Sequence, residues 1–156
     1  MARKRSEHYV NNKEFLYAIV AYKQDIKDAE AAGNPKPVIP RYIGECFLKI
    51  ATHLSYKPNF VNYMFKDDMV CDGIENCVQY INNFNPEKST NPFAYFTQII
   101  HYAFLRRIQK EKKQLEIKQK IIERSGFDEV MTADEDGKSS EYNQIKDAIQ
   151  YRNNNR

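Results

Sequence analysis

Apolar positions recur at helical spacing through most of the chain, and the first such run opens just after Asn11. Asn11 and Glu14 stand at capping-box spacing, with Asn in the usual Ser or Thr place, and Phe15, Ile19, Tyr22 and Ile26 follow on one stripe. This pattern predicts a helix over 12–31. The stretch "AGNPKPVIP" carries three prolines and a glycine, cannot continue a helix, and reads as an extended loop. Pro40 suits a first helical turn, and Ile43, Phe47, Ile50 and Leu54 again share a stripe, which predicts a second helix to about Tyr56. "KPNF" breaks it, and a third stripe runs through Val70, Ile74, Cys77, Ile81 and Phe84.

"NNFNPEKSTNP" ends the third helix, with Asn91 as the cap and Pro92 at the first position of a fourth. That helix is long, with Phe96, Ile100, Ala103 or Phe104, and Ile108 facing inward. Beyond Lys110 its stripe thins to Leu115, Ile117, Ile121 and Ile122, so the helix is expected to leave the domain or fray before Gly126 stops it. Residues 128–140 read as disordered, and "EYNQIKDAIQY" as a last short helix. Strand-like alternation is absent, so the expected class is all-α. The expected organisation is a disordered basic arm over 1–10, a compact helical domain over 11–124, and a poorly ordered, acidic C-terminal tail over 125–156.

Composition changes this picture in one respect. The 156 residues are enough for one domain with a core, and a net charge of +3 argues against a generally polybasic chromatin-type protein. Any nucleic-acid surface must therefore come from local asymmetry. From Arg106 to Arg124 there are eight basic residues against Glu111, Glu116 and Glu123, and the next stretch, "DEVMTADED", reverses the sign. The three cysteines, Cys46, Cys71 and Cys77, lie inside amphipathic patterns. With no apolar leader and no run able to span a bilayer, the expectation is a reduced cytosolic protein.

Catalytic chemistry finds little support. Asp68, Asp72 and Glu75 form one carboxylate row on a helix. Such a row can be a solvated face, can hold a divalent metal with water, or can meet arginines of a partner through charge-assisted hydrogen bonds. No His or further acid stands at partner spacing. His8, His53 and His101 are scattered, no Cys-x-x-Cys pair is present, and Cys71 and Cys77 lie off each other on the helix. There is neither a glycine-rich phosphate loop nor a nucleophile elbow, so an enzyme is not expected, nor is a metal or other cofactor.

The informative stretch is "NPFAYFTQIIHYAFLRRIQKEKK". Phe96, Ile100, Phe104 and Ile108 serve the core. Phe93, Tyr95, Ile99 and Tyr102 fall on other faces, with Gln98, Arg106, Arg107 and Lys110 close by. Rings beside cations suit single-stranded nucleic acid, since a splayed base stacks on a ring for roughly 1–3 kcal/mol while basic side chains track phosphates. Periodicity alone leaves open the alternative of a helix buried on several sides.

From Asp68 to about Lys113 the chain resembles region 2 of bacterial sigma factors, and from "YVNNKEF" onward it is similar to the late-gene sigma factors of large tailed bacteriophages. The residues that carry this are "DDMVCDGIENCVQYINNFN" followed by "NPFAYFTQIIHYAFLRRI", where Tyr95, Thr97, Ile100, Ala103, Arg106 and Ile108 match the motif without a gap from Asp68. The resemblance implies a helical region-2-like domain that binds host core RNA polymerase and recognises and melts an A·T-rich, −10-like promoter element of phage late genes. It implies that Asp68, Cys71, Asp72, Ile74, Glu75 and Val78 dock on the clamp helices of the largest polymerase subunit, with Cys71 and Ile74 making that contact less polar than usual.

On the DNA side it implies that Tyr95 stacks on the flipped adenine of the non-template strand, and that Tyr102 stands in the place of a base-reading glutamine. Gln98 and Ile99 replace the tandem tryptophans that wedge the duplex apart, and Arg106 and Arg107 hold phosphates; Phe93 and Lys110 join the DNA-binding candidates from the aromatic and basic pattern. A·T-rich DNA suits this role because its T–A steps unstack easily. The resemblance also implies an absent upstream-reading domain, a late coactivator and a phage sliding clamp as further partners, and a place in the cytoplasm of the infected bacterial host. Near the end, Ile145, Ile149 and Tyr151 are expected to form an amphipathic remnant, while the acidic and hydrophobic clamp-binding peptide of the phage late-gene factors is not evident. The competing reading is a polymerase-binding regulator of the coactivator or anti-sigma type. It needs the face from Asp68 to Val78 but not Tyr95, Tyr102 or Arg106.

Overall fold

The structure, a computed structural model, describes residues 8–125 together with Tyr151. These residues are all-helical, with no strand among them. Four α-helices follow in order, α1 (Asn12–Ala31), α2 (Arg41–Ser55), α3 (Lys66–Tyr80) and α4 (Pro92–Ser125), with a short 3-10 turn at Ile81–Asn83 after α3. The chain divides into two units, Met1–Lys112 and Lys113–Arg156, with the boundary inside α4. Of the two outcomes expected beyond Lys110, leaving the domain or fraying, α4 does not fray: it continues as helix to Ser125, past the end of the first unit. Gly126, the acidic stretch and most of the expected last helix lie outside the described residues; of that helix only Tyr151 falls within them, helical and exposed.

Local chemistry sets the helix ends. The side chain of Asn11 accepts from the backbone N–H groups of Lys13 and Glu14, at 3.1 and 3.3 Å, as its position in the pattern predicts. At the other end of α1, Gly33 takes φ +71° while its N–H donates to Glu30 O and that of Asn34 to Ala29 O. This left-handed cap satisfies two terminal carbonyls and turns the chain into the proline-rich loop. That loop is held from below, because the Tyr22 hydroxyl, on a buried ring, donates to Pro37 O at 3.1 Å.

The core is built around Phe96, which is fully buried and lies 5.6 Å from the ring of Phe15 (α1), 4.8 Å from Phe47 (α2) and 6.0 Å from Phe84, just past the 3-10 turn. The inward rows expected on α1, α2 and α4 are all buried. On α3 the buried row is Met69, Gly73 and Cys77, whereas Val70 and Ile74 are only half-buried, so the stripe is rotated from the expected one. The reason is steric. A Cβ on Gly73 would stand 3.0 Å from Ile100 Cγ2 and 3.3 Å from Phe104 Cε1, so α3 turns its one side-chain-free position toward α4.

His8 to Val10, expected to belong to a disordered arm, are packed on the first unit instead. Val10 is buried in the core, and Tyr9 stacks on His53 with ring centroids 3.8 Å apart and planes 2° from parallel. The apolar area of these residues is what composition averaged over the arm concealed. Residues 1–7 lie outside the described residues.

Candidate functional site

Two surfaces carry the residues singled out from the sequence. On α4, Phe96, Ile100, Ala103, Phe104 and Ile108 turn inward, which leaves Gln98, Tyr102, Leu105, Arg106 and Lys110 on an outward face. Tyr102 is 51% exposed. Tyr95 and Ile99 border this face, each half-buried. The ring of Tyr95 meets Phe84 edge-on at 5.2 Å and Phe96 at 5.1 Å, so it packs against the core while staying only partly buried. Burial, with a smaller contribution from Cys77, pushes its hydroxyl pKa up, which keeps the phenol neutral.

The N-terminus of α4 is fixed from a distance. Asn91 caps it by accepting from Ala94 N at 3.1 Å. Asn12, from the first turn of α1, adds a second set of bonds: its Oδ1 accepts from Phe93 N at 3.2 Å and its Nδ2 donates to Asn91 Oδ1 at 3.0 Å. Phe93, two residues and so about 200° from Tyr95 on the helix, does not join the face of Tyr95 and Tyr102. Its ring packs edge-on against His8 at 4.6 Å and against Tyr9 at 5.7 Å, on another side of the helix.

Downstream of Tyr80, the Lys23 ammonium on α1 donates to the carbonyls of Asn82 and Phe84, ahead of the turn that leads to α4. Burial, then the neighbouring Lys27, lowers its pKa. Phe84, so anchored, is the ring against which Tyr95 rests. Neither Asn12 nor Lys23 carried a signal in the sequence, since both contacts span long separations and both residues sit on otherwise ordinary helix positions.

On α3, Asp68, Cys71, Glu75 and Val78 are exposed along one side, Val78 at 42%, with Ile74 half-buried at its margin. Asp72 does not share that exposure. Its two carboxylate oxygens accept from Arg107 of α4, Oδ2 from Nε at 2.6 Å and Oδ1 from Nη2 at 2.9 Å, and Arg107 Nη1 also donates to Glu111 at 3.4 Å. The side chains of Arg107 and Asp72 are 19% and 29% exposed. The hydrogen bonds to Asp72 lead the causes that raise the Arg107 pKa further. The two charges that the resemblance assigns to different partners are thus spent on each other. The cause is register: Arg107 falls on the inward half of α4, one residue but about 100° away from Arg106. Arg106 and Lys110 take part in no ion pair among the described residues.

Among the described residues no group of three or more His, Cys, Asp or Glu side chains is gathered to hold a metal. Nor is any described helix long and apolar enough to cross a membrane. No protein-family model matches the chain, and no curated protein matches it either.

Proposed function

We propose that the chain is a sigma-type transcription initiation factor, which binds bacterial core RNA polymerase through α3 and opens an A·T-rich, −10-like promoter element along the outward face of α4. The observation that carries this reading is the composition of that face: Tyr95 half-buried at its border, Tyr102 exposed, and Arg106 and Lys110 without an ion-pair partner among the described residues. Rings and unneutralised cations on one side of one helix fit a single strand, with bases stacking at roughly 1–3 kcal/mol each and phosphates following the basic side chains.

The protein makes no bond in this scheme. Its stacking surface is available to a base only after the base has left the duplex, so it binds the open promoter better than the closed one and shifts that equilibrium. Gln98 and Ile99 supply no large wedge, which places the initial separation of strands on the weak stacking of T–A steps and on the polymerase. Tyr95 stacks the unpaired base while its other edge rests on Phe84 and Phe96. Asp68, Cys71, Glu75 and Val78 form the polymerase-facing side, where exposed carboxylates meet arginines across a partly apolar contact.

The test is transcription by purified bacterial core polymerase on a supercoiled template bearing an A·T-rich late-type promoter. Initiation at one defined start, abolished by Tyr95→Ala, is expected. Polymerase binding without any initiation, unaltered by Tyr95→Ala, would instead identify a regulator that holds the polymerase without reading DNA. The sliding clamp and late coactivator enter as additions to the same assay.

A further inference from the structure

The ion pair between α3 and α4 joins the two helices that carry the surfaces just described, and it is the one salt bridge between them among the described residues. Arg107 uses its Nε and one Nη on both oxygens of Asp72, the planar two-point geometry that fixes orientation as well as distance. Glu111, one turn further along α4, takes the other Nη, and Asp68, one turn before Asp72, adds attraction. Beside the pair, Gly73 lets α3 approach so closely that Ile100 and Phe104 fill the place of its missing side chain. The pair therefore sets the rotation of α3 against α4 where packing sets the distance.

We propose that Arg107 is a positioning residue and not a phosphate contact: through Asp72 it holds the reading face of α4 in a fixed register to the polymerase-facing side of α3. This rests on the initiation-factor reading above. On it, polymerase engagement through Asp68, Cys71, Glu75 and Val78 dictates where Tyr95, Tyr102 and Arg106 meet the DNA. Without the pair, α3 still docks, but the rings arrive out of register with the unpaired bases.

The experiment compares the full-length wild type with Arg107→Met, Arg106→Met, and the exchanged double variant Asp72→Arg with Arg107→Asp, each first checked for native helicity by circular dichroism. Core polymerase affinity, the salt slope of promoter binding, and the fraction of promoter opened are measured for each complex. Arg107→Met is expected to leave polymerase affinity and the salt slope unchanged and to reduce opening about tenfold, within the usual range for coupled sites. Arg106→Met is expected to reduce the salt slope by about one, as loss of a phosphate contact does. The exchanged variant restores opening above that of Arg107→Met, which a phosphate-contacting arginine could not do after its replacement by an acid.

A salt slope reduced by Arg107→Met as much as by Arg106→Met overturns the proposal, as does an exchanged variant no better than Arg107→Met. Failure of the wild type to open any promoter is a different result. It removes the initiation-factor reading, and the positioning role with it.

Discussion

Gly73 and Gly44 offer the same chemical change in two surroundings, and replacing each by alanine isolates how tightly α3 meets α4. Both sit in helices, where Gly→Ala is worth about 0.5–1 kcal/mol through backbone entropy and helix propensity. At Gly44 the new Cβ meets nothing within 4 Å, so that gain should appear almost whole. At Gly73 the Cβ would stand 3.0 Å from Ile100 Cγ2 and 3.3 Å from Phe104 Cε1, both fully buried and unable to swing into solvent. Overpacking of this kind costs about 1–3 kcal/mol. Gly44→Ala should therefore stabilise, and Gly73→Ala should come out neutral to destabilising by about 2 kcal/mol. The gap between the two variants equals the overpacking cost itself, about 1–3 kcal/mol. Urea unfolding followed by circular dichroism reads both midpoints, and at about 4 °C per kcal/mol thermal melts should separate the pair by several degrees. Equal stabilisation of both variants would refute the close approach of the two helices and, with it, the rotation of α3 that brings Asp72 to Arg107.

Three further outcomes are expected. Phe96→Ala, which empties the place where rings from α1, α2 and the α3–α4 connection converge, should cost about 3–5 kcal/mol in the same unfolding assay. Tyr42, whose hydroxyl pKa is pushed up to about 12 by burial first and then by Cys46 and Glu14, binds its proton more tightly folded than unfolded. Its contribution is intact below the unfolded value of about 10 and is lost as pH rises from there through about 12, so stability should fall across that window and Tyr42→Phe should flatten the fall. A thiol reagent should modify the exposed Cys71 in the native protein and reach the buried Cys46 and Cys77 only on unfolding, giving one fast thiol and two slow ones.

Much of the fold was legible because its determinants are local. The bounds of α1 follow from Asn11 at one end and Gly33 with its prolines at the other, and the inward row of α4 from Phe96 to Ile108 follows from spacing alone. What escaped depends on residues with no pattern to offer. Gly73 has no side chain and so cannot mark a stripe, yet its absence of one is what turns α3. His8, Tyr9 and Val10 hide in a basic stretch, and only the distant His53 and Phe93 show why they pack.

The candidate site divides the same way. Tyr102 and Arg106 as outward residues follow from the wheel of α4, while the different fates of Arg106 and Arg107 do not. Adjacent, identical residues are told apart only by the register of α4 against a carboxylate on another helix. Phe93 likewise belongs, by residue type, to the aromatic row, but two residues along a helix lie about 200° apart, so it falls on a different side from Tyr95 and packs against His8 and Tyr9.

The most direct measurement of the central claim is permanganate oxidation of unpaired thymines on a supercoiled A·T-rich template, with core polymerase and this protein, beside Tyr95→Ala. A short patch of reactive thymines that requires both components and disappears with Tyr95→Ala, while polymerase binding persists, is expected. A patch that Tyr95→Ala leaves intact, or no patch while the protein is bound to polymerase, would contradict that claim.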